Sequence, residues 1–432
     1  MADLGVNICG IDSPNPFWLA SAPPTNTGDQ IARAFDAGWG GAVWKTIGEP
    51  IENTWSRYSS VDLDGKRMMG FNNIELITDR PLETNLAEIE AVKSRYPNNV
   101  LIVSLMVEST REAWHRIVRQ AEDAGADGVE MNFGCPHGMS ERGMGSAIGQ
   151  VPEYCRDIVG YAKEVATKPV FVKLTPNVAD IVPPARAAKA GGADAISLIN
   201  TINSVTGVDL DTFAPRPTVA GKSSHGGYCG PAVKPIALHM VSAIARDPDA
   251  GTVPISGIGG IATWRDAAEF ILLGATTVQV CTAVMHWGYR IVEGMIDGLS
   301  GYLDSKGMAS VDELRGKSVD RLQKWENLDL NYVIKAHVDQ EACIGCGLCY
   351  IACNDGAHQA IGAEREGDRT RVWIKEDACV GCNLCSLVCP VHNCITMQQQ
   401  DTEHESLTWV EYGEGKGTLE PRPKHGLTIT AD

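Results

Sequence analysis

The sequence predicts an α/β protein in which a (β/α)8 TIM barrel is followed by a small, separate α+β domain rich in cysteine. Two observations support this prediction. Over the first 300 residues, short β-branched apolar runs alternate with amphipathic helical patterns, and eight such repeats are typical of a closed barrel. Nine of the 14 cysteines then fall between Cys343 and Cys394, a clustering that indicates a metal-binding module.

Each predicted barrel strand is an apolar run followed by a helical pattern such as REAWHRIVRQAEDAGA. A doubly wound open sheet is the alternative arrangement of the same elements, but eight repeats without a GxGxxG turn after the first strand favour the barrel. The predicted strands are FWLASA (17–22), GAVWKTI (41–47), VLIVSLM (100–106), GVEMNFG (128–134), VFVKLTP (170–176), AISLINT (195–201), VPISGIG (253–259) and TTVQVCTAV (276–284).

The charge and hydropathy of the chain exclude several classes of partner. The 432 residues carry a formal net charge of −17, with a pI near 5.0, so neither nucleic acid nor an anionic membrane surface is an expected partner. No uninterrupted apolar run of about 18 residues occurs, and the start MADLGVNICGID lacks the basic and apolar segments of a signal peptide. We therefore predict a cytoplasmic protein without a transmembrane helix.

Changes of composition divide the chain into four predicted segments. The barrel is predicted over residues 1–300, and a polar connecting arm with weak helical periodicity over 301–337. The cysteine-rich domain follows at about 338–398. The tail, 399–432, is polar and contains proline and glycine, so we expect it to be extended or mobile.

Two runs in the cysteine-rich domain share one spacing. CIGCGLCYIAC and CVGCNLCSLVCP both match the C-x2-C-x2-C-x3-C pattern of two-cluster bacterial ferredoxins, in which three thiolates hold one [4Fe–4S] cluster and the fourth reaches the other. Zinc sites use paired C-x2-C units instead. We predict a ferredoxin-like domain that passes single electrons. One cluster would be held by Cys343, Cys346, Cys349 and Cys389 and the other by Cys379, Cys382, Cys385 and Cys353, with Cys394 a buried thiol outside both.

Polar residues gather at the carboxyl ends of the predicted barrel strands, where barrels place their chemistry. Two lysines and several amides at these ends indicate a ligand site, because burying an unpaired lysine is costly. A glycine pair after strand seven suits a phosphate, although a plain turn is the alternative. The strand-end residues are Ser21, Lys45, Thr46, Asn132, Cys135, Lys173, Asn200, Thr201, Gly257, Gly259, Gly260, Cys281 and Thr282.

These strand ends together suggest a phosphate-bearing redox cofactor. A lysine beside a ring edge that carries negative charge on reduction is a common flavin arrangement. FMN is the best candidate, because it takes up two electrons as a hydride and also exchanges single electrons with iron–sulfur clusters.

The barrel resembles the FMN domain of dihydropyrimidine dehydrogenase, itself similar to dihydroorotate dehydrogenase. The resemblance covers roughly residues 1–398 and includes PNPFWLASA, AGWGGAVWKT, FNNIELI, MNFGCPHGMSERGMG, VKLTPNVADIV, CGPAVKPIAL and VQVCTAV, with CNDGAHQAI and VCPVHNCI in the cysteine-rich domain. The FAD and NAD(P)H domains of the long eukaryotic form have no counterpart here. The resemblance therefore implies the catalytic subunit of the two-subunit bacterial NAD-dependent form, working in a heterotetramer with an FAD-containing, NADH-binding iron–sulfur flavoprotein.

The resemblance also implies site residues. Uracil offers N–H donors and C=O acceptors, and an asparagine amide supplies both complements. At position 134 this chain has glycine where the long enzyme has serine, and its 202–206 segment also differs. The implied pyrimidine contacts are Asn73, Glu75, Asn132, Asn200 and Thr201, and the implied FMN contacts are Ser21, Lys45, Thr46, Asn73, Lys173, Gly230, Gly259, Gly260, Cys281 and Thr282.

Cys135 stands alone at the end of predicted strand four, just before a proline. A lone cysteine is most often a buried thiol, and Cys155 inside a helical pattern fits that role. For Cys135 we favour an acid role, because reduction of the C5=C6 bond of uracil needs a hydride at C6 and a proton at C5, and a thiol is protonated at neutral pH yet able to release its proton. The loop from Pro136 to Gly145 is expected to close over the substrate. A covalent nucleophile is the weaker alternative.

The predicted reaction is reduction of uracil or thymine to the 5,6-dihydropyrimidine, with electrons from NADH passing through the partner and the clusters to FMN. The chain has no NAD-binding fingerprint, so NADH is expected to bind the partner. A dihydroorotate-type dehydrogenase is a second hypothesis, although no cationic partner for the orotate carboxylate is evident in the sequence. A non-catalytic iron–sulfur electron carrier is a third, and the Asn and Cys set at the barrel mouth argues against it.

Overall fold

The structure is a computed structural model and describes residues 2–63, 66–136 and 138–421. The chain divides into two compact units, Met1–Arg321 and Leu322–Asp432. Residues 422–432 of the predicted tail and His137 of the predicted Pro136–Gly145 loop lie outside the described residues.

Strands and helices alternate along most of the first unit. Its strands are β1 (Val6–Ile8), β2 (Ile11–Ser13), β3 (Phe17–Leu19), β4 (Gly41–Ile47), β5 (Tyr58–Leu63), β6 (Lys66–Asn73), β7 (Val100–Leu105), β8 (Gly128–Asn132), β9 (Val170–Lys173), β10 (Ala195–Leu198), β11 (Ile202–Ser204), β12 (Gly226–Cys229), β13 (Ile255–Ile258) and β14 (Ala275–Val280). Its α-helices are α1 (Gly28–Ala37), α2 (Leu82–Arg95), α3 (Arg111–Asp123), α4 (Ser146–Gly149), α5 (Pro152–Lys163), α6 (Val182–Ala190), α7 (Lys234–Ala245), α8 (Trp264–Leu272), α9 (Thr282–Trp287) and α10 (Ile291–Ser305).

Eight of these strands close into a parallel barrel, in the order β3, β4, β7, β8, β9, β10, β13 and β14. The ring closes where β14 pairs with β3, with Val278 opposite Phe17. Seven of the eight predicted runs contain a whole barrel strand, and β14 begins at Ala275, one residue before the eighth run. The predicted barrel is therefore confirmed, and its closure excludes the open doubly wound sheet.

Burial explains why the barrel strands are apolar runs. Every residue of β4 and β7 is buried, because helices cover the outside of a parallel barrel and side chains fill its interior. The helices begin at suitable caps: the Thr110 side chain accepts a hydrogen bond at the start of α3, and Thr263 and Asp266 form a capping box at α8. In the described residues, no helix is long and apolar enough to cross a membrane.

A second sheet, which the sequence analysis missed, contains four antiparallel strands in the order β11, β12, β6 and β5. Asn73 of β6 lies opposite both Gly227 of β12 and Tyr58 of β5. The sequences of β5 and β6, YSSVDL and KRMMGFNN, are too polar and mixed to show a strand pattern. The pairing between positions more than 150 residues apart cannot be read from either segment alone.

The barrel unit extends beyond residue 300. Helix α10 crosses that position, and Val311 and Leu314 are each only 1% exposed in the core of the unit. The Asp3 amide donates a hydrogen bond to the Ala309 carbonyl. The first part of the predicted connecting arm, up to Arg321, therefore packs as part of the barrel unit.

The second unit is a small α+β domain, as the sequence predicts, in which β15 pairs with β18 and β16 with β17, each pair antiparallel. The core between them contains apolar side chains together with several of the clustered cysteines. The elements are β15 (Ile334–Val338), α11 (Leu348–Gly356), β16 (Ile361–Glu366), β17 (Arg369–Ile374), α12 (Leu384–Leu387), β18 (Ile395–Gln399) and α13 (Trp409–Gly413).

The described part of the tail is anchored within this unit rather than extended. Asn331 Nδ2 donates hydrogen bonds to the Glu405 carbonyl at 2.7 Å and the Thr418 carbonyl at 3.0 Å. Leu407 is buried, and the Thr408 side chain caps α13. One buried leucine and one asparagine thus hold a segment whose polar composition predicts an extended chain.

Candidate active site

A cleft opens at the carboxyl ends of the barrel strands, and the antiparallel sheet forms part of its wall. The space between its walls, including the part open to solvent, is about 1270 Å³, compared with ~300–1,000 Å³ for typical small-molecule sites. Gly257 does not line the cleft: a Cβ there would lie 2.6 Å from the Phe270 ring, so this glycine serves packing. All the residues predicted for FMN or pyrimidine do line it, namely Ser21, Lys45, Thr46, Asn73, Glu75, Asn132, Cys135, Lys173, Asn200, Thr201, Gly230, Gly259, Gly260, Cys281 and Thr282.

A chain of hydrogen bonds holds the predicted amides in place. Asn200 Nδ2 donates to Asn132 Oδ1 at 3.0 Å, and Asn132 Nδ2 donates to Thr46 Oγ1, also at 3.0 Å. Thr46 Oγ1 in turn lies 3.2 Å from Ser21 Oγ. The Thr201 amide donates to Asn200 Oδ1 at 2.8 Å. The orientation of both asparagines is therefore set by neighbours on other strand ends.

Each lysine of the cleft faces a carboxylate. Lys45 Nζ lies 2.5 Å from Glu75 Oε1, with both side chains 7% exposed. Lys173 Nζ lies 3.7 Å from Glu130 Oε1, and these side chains are 6% and 1% exposed. Glu130 Oε2 accepts a hydrogen bond from Ser197 Oγ at 2.7 Å. Pairing of this kind offsets part of the cost of burying a lysine.

Glu75 also binds two residues of the antiparallel sheet region. Arg57 Nη1 donates to Glu75 Oε1 at 3.3 Å, and the Tyr58 hydroxyl donates to Glu75 Oε2. Burial, and next the hydrogen bond to Glu75, raises the pKa of Tyr58, so its hydroxyl keeps its proton. A barrel lysine, an arginine and a tyrosine thus fix one carboxylate at the cleft wall.

The glycines after β13 form a close backbone turn. Gly259 and Gly260 have φ values of 132° and 73°, a region that disfavours other residues. A Cβ at Gly260 would lie 2.9 Å from the Gly230 carbonyl oxygen and 2.8 Å from the Lys234 Cβ. The turn therefore packs against the Gly230–Lys234 segment more closely than a side chain would allow. Its backbone lines the cleft, where exposed amides would suit a phosphate.

Unsatisfied polar atoms in the wall indicate a bound polar group. Among the described residues, Gln279 Oε1 and His286 Nε2 are buried without a hydrogen-bond partner, and both residues line the cleft. Buried polar atoms in proteins are otherwise nearly always hydrogen-bonded. Together with the lysines, the amides and the glycine turn, these atoms form a donor and acceptor set that fits FMN beside a pyrimidine.

Cys135 lies on the loop that follows β8 and lines the cleft with Asn132. It is 9% exposed and packs in a small apolar cluster with Ile77, Met106, Met139 and Met144. The Ser146 amide donates to the Cys135 carbonyl at 3.1 Å. The backbone is thereby tied to the start of α4 at a position that lines the cleft.

The other thiols of the unit differ from Cys135. Cys155 is fully buried in α5, in agreement with its interpretation as a buried thiol, and this burial raises its pKa to about 12. Burial raises the pKa of Cys281 to about 12 and that of Cys229 to about 11, so both cleft thiols stay protonated at neutral pH. Cys229 was not predicted, although it directly precedes the predicted Gly230.

Several cleft residues escaped the sequence analysis. Tyr58 and Phe71, which stack at 5.2 Å, belong to the missed sheet, and His286 meets the Phe71 ring edge-on at 5.4 Å. Gln279 lines the cleft from β14. The signal for Gln279, as for Glu130, was a polar residue inside an apolar strand, which is informative wherever the strand is buried.

In the second unit, the eight predicted cluster ligands line two small cavities, of about 350 and 330 Å³. Each cavity receives three cysteines of one run and the fourth cysteine of the other. Gly345 and Gly381 have φ values near 70° and turn the loops that carry the cysteines. Cys394, predicted to lie outside both clusters, is buried and also borders the second cavity. The first cavity is lined by Cys353, Cys379, Cys382 and Cys385, and the second by Cys343, Cys346, Cys349 and Cys389.

Known proteins are similar to this chain over most of its length. The family model for dihydroorotate dehydrogenase matches residues 3–303, and that for the 4Fe-4S dicluster domain matches residues 336–397. The chain is 46% identical over 364 residues to the NAD-dependent dihydropyrimidine dehydrogenase subunit PreA of Escherichia coli strain K12, covering 83% of this chain and 87% of that protein. It is 42% identical over 328 residues to the chloroplastic dihydropyrimidine dehydrogenase (NADP(+)) of Arabidopsis thaliana, covering 73% and 77%. It is 38% identical over 313 residues to the catalytic subunit of dihydroorotate dehydrogenase B (NAD(+)) of Pyrococcus abyssi, covering 72% and 98%.

Proposed function

The chain belongs to the dihydroorotate dehydrogenase family and carries a 4Fe-4S dicluster domain, and from this premise we propose that it is an oxidoreductase that reduces the C5=C6 bond of uracil or thymine. The relatives from E. coli and A. thaliana, both named as dihydropyrimidine dehydrogenases, support this choice of substrate. The observation that carries the proposal is the cleft itself, which brings three asparagines and Cys135 together with two paired lysines.

FMN is the proposed cofactor of the cleft. When bound, it supplies a hydride for C6 and accepts single electrons from iron–sulfur clusters. Lys173 and the buried Gln279 would hold its ring, and the Gly259–Gly260 turn would hold its phosphate through backbone amides. The other proposed contacts are Ser21, Lys45, Thr46, Asn73, Gly230, Cys281 and Thr282.

The amides of the cleft read the pyrimidine. Asn132 and Asn200 are oriented by each other and by Thr46, so their donors and acceptors are preorganised for the alternating groups of the ring. Asn73 is held within the antiparallel sheet, where its Nδ2 donates to the Gly227 carbonyl at 3.2 Å. Thr201 and Glu75 complete the proposed set.

Cys135 provides the proton for C5. It lines the cleft while packing in an apolar cluster, and its backbone is fixed by the Ser146 amide. A protonated thiol in this place acts as a general acid at the moment when the ring carbon becomes basic. Closure of the loop up to Gly145 would then keep water out of the site.

Electrons are proposed to come from NADH through a partner flavoprotein that contains FAD. The name of the E. coli relative, a subunit of an NAD-dependent enzyme, supports a partner of this kind, and a heterotetramer is the proposed assembly. Two [4Fe–4S] clusters, each held by the four cysteines that share a cavity, would pass the electrons on. The cytoplasmic location stays a prediction.

The proposal is tested with the purified chain, loaded with FMN and clusters, in the presence and absence of its flavoprotein partner. NADH oxidation should depend on both the partner and uracil, and dihydrouracil should form in equal amount. Activity with dihydroorotate and none with uracil would show that the substrate is misassigned.

A further inference from the structure

The cations of the cleft are all engaged by carboxylates, which bears on the kind of pyrimidine it admits. Among the lining residues that the structure describes, the lysines are Lys45 and Lys173, and they face Glu75 and Glu130. His286 adds no charge at neutral pH, because burial lowers its pKa. A ligand in the cleft therefore meets a wall whose positive charges already have partners.

Glu75 is held more firmly than a simple ion pair requires. Lys45 and Arg57 both bind Oε1, at 2.5 and 3.3 Å, while Tyr58 donates to Oε2. Lys45 belongs to β4 of the barrel, Tyr58 begins β5 of the antiparallel sheet, and Arg57 directly precedes that strand. Elements of two different sheets therefore fix the carboxylate. Since both of its oxygens are bound, Glu75 cannot turn away to release either cation without losing a hydrogen bond.

We propose that Glu75 is a specificity-determining residue that restricts the site to uncharged pyrimidines, by occupying Lys45, a lining cation that would otherwise be able to bind a ring carboxylate. This inference rests on the proposed function and deepens it, because it separates uracil and thymine from orotate and dihydroorotate. Arg57 and Tyr58 are positioning residues in this arrangement, since they act on the substrate through Glu75.

Charge and burial explain why Glu75 should strongly disfavour a substrate that carries a carboxylate. A carboxylate on the substrate would need a cation at this wall and would instead meet the fixed carboxylate of Glu75. Lys45 and Glu75 are each only 7% exposed, so solvent screens the repulsion weakly. Neutral uracil has no such charge, and a carboxylate that accepts hydrogen bonds remains compatible with its ring N–H groups.

The test is equilibrium binding to the oxidised, FMN-loaded chain, followed by the change in flavin absorbance on titration with uracil or orotate. The wild-type protein should bind uracil and give no measurable change with orotate. Glu75→Gln, which keeps the shape of the side chain but frees Lys45, should bind orotate at least about tenfold more tightly than wild type, equivalent to ~1.4 kcal/mol. Glu293→Gln is the matched control, because this exposed glutamate pairs with Arg290 away from the cleft, and it should match wild type.

Two further variants keep the test decisive. Arg57→Gln alone should give a smaller gain for orotate than Glu75→Gln, because Glu75 then loses one of the partners that hold it but keeps its charge. If Glu75→Gln fails to retain FMN, Tyr58→Phe is titrated instead, and the loosened carboxylate should give a smaller gain for orotate. Uracil binding by wild type, with no gain for orotate in these variants, would overturn the role of Glu75 alone. Failure of wild type to bind uracil would instead overturn the proposed function.

Discussion

A Cβ atom at Gly134 would lie 2.5 Å from Nδ2 and 2.7 Å from Cγ of Asn200. The absence of a side chain at position 134 is thus what allows Asn200 to approach Asn132 and donate to its Oδ1. The long dihydropyrimidine dehydrogenase that this barrel resembles has serine at this place. The glycine therefore sets the position of a proposed pyrimidine-reading amide in this chain.

Gly134→Ala should raise the KM for uracil several-fold, which corresponds to a loss of ~1 kcal/mol in binding free energy, and should change kcat less. The reason is that the added methyl group displaces Asn200 and weakens one hydrogen bond to the ring. Steady-state kinetics measures both parameters. Gly160→Ala in α5 is the matched control: a Cβ there meets nothing within 4 Å, so kinetics should stay as in wild type. An unchanged KM in Gly134→Ala would show that Asn200 does not read the substrate from this position.

Cys135→Ala should lower kcat by about 10²–10⁴-fold while FMN stays bound, because the general acid is removed and the cofactor contacts remain. Cys155→Ala provides the comparison. That thiol is fully buried away from the cleft, so its loss should lower the Tm but leave kcat unchanged. Near-normal turnover by Cys135→Ala would rule out the thiol as proton donor.

Glu130→Gln should raise the midpoint potential of bound FMN by roughly 30 mV or more, equivalent to ~1.4 kcal/mol for a two-electron couple. The reason is that Lys173 loses its only described carboxylate neighbour, at 3.7 Å, and is then free to stabilise the negative charge of the reduced flavin. Spectroelectrochemical titration measures the potential. Glu293→Gln should leave it unchanged, and equal potentials in all three proteins would contradict the role of the Glu130 charge.

The crossed ligation of the two clusters can be tested by single substitutions. Cys389→Ser should disturb the cluster of Cys343, Cys346 and Cys349, and Cys353→Ser should disturb the other, so each variant should fall from about eight to about four iron atoms per chain. Cys394→Ser should retain about eight, because this cysteine is outside both predicted sets. Iron and acid-labile sulfide analysis, with electron paramagnetic resonance of the reduced protein, distinguishes these outcomes. Zinc in place of iron would contradict the cluster assignment.

The barrel could be predicted because each of its strands corresponds to a recognisable apolar run in the sequence. A run such as VLIVSL is apolar at every position except Ser104, because β7 is buried on both faces. The antiparallel sheet does not correspond to such runs. Its strands are polar and are brought together by distant partners, such as Asn73 opposite Gly227, so neither segment predicts the pairing by itself.

The cleft residues also differ in whether the sequence predicts them, according to whether they lie on barrel strands or near the antiparallel sheet. Lys173 and Asn132 follow directly from the rule that strand ends meet at one face of a barrel. Tyr58 belongs to the antiparallel sheet and Arg57 directly precedes it, so these two partners of Glu75 could not be read from the strand pattern. Glu130 was visible as a charge inside an apolar run, but its pairing with Lys173 depends on the register between β8 and β9.

The central claim, that this chain delivers electrons to the C5=C6 bond of an uncharged pyrimidine, is tested most directly by an anaerobic half-reaction. The FMN- and cluster-loaded protein is reduced with dithionite, freed of excess reductant and mixed with uracil while the flavin absorbance is followed. We predict that uracil reoxidises the flavin and is converted to dihydrouracil, and that orotate does neither. A reduced flavin that uracil leaves unchanged, but that orotate reoxidises, would contradict the account.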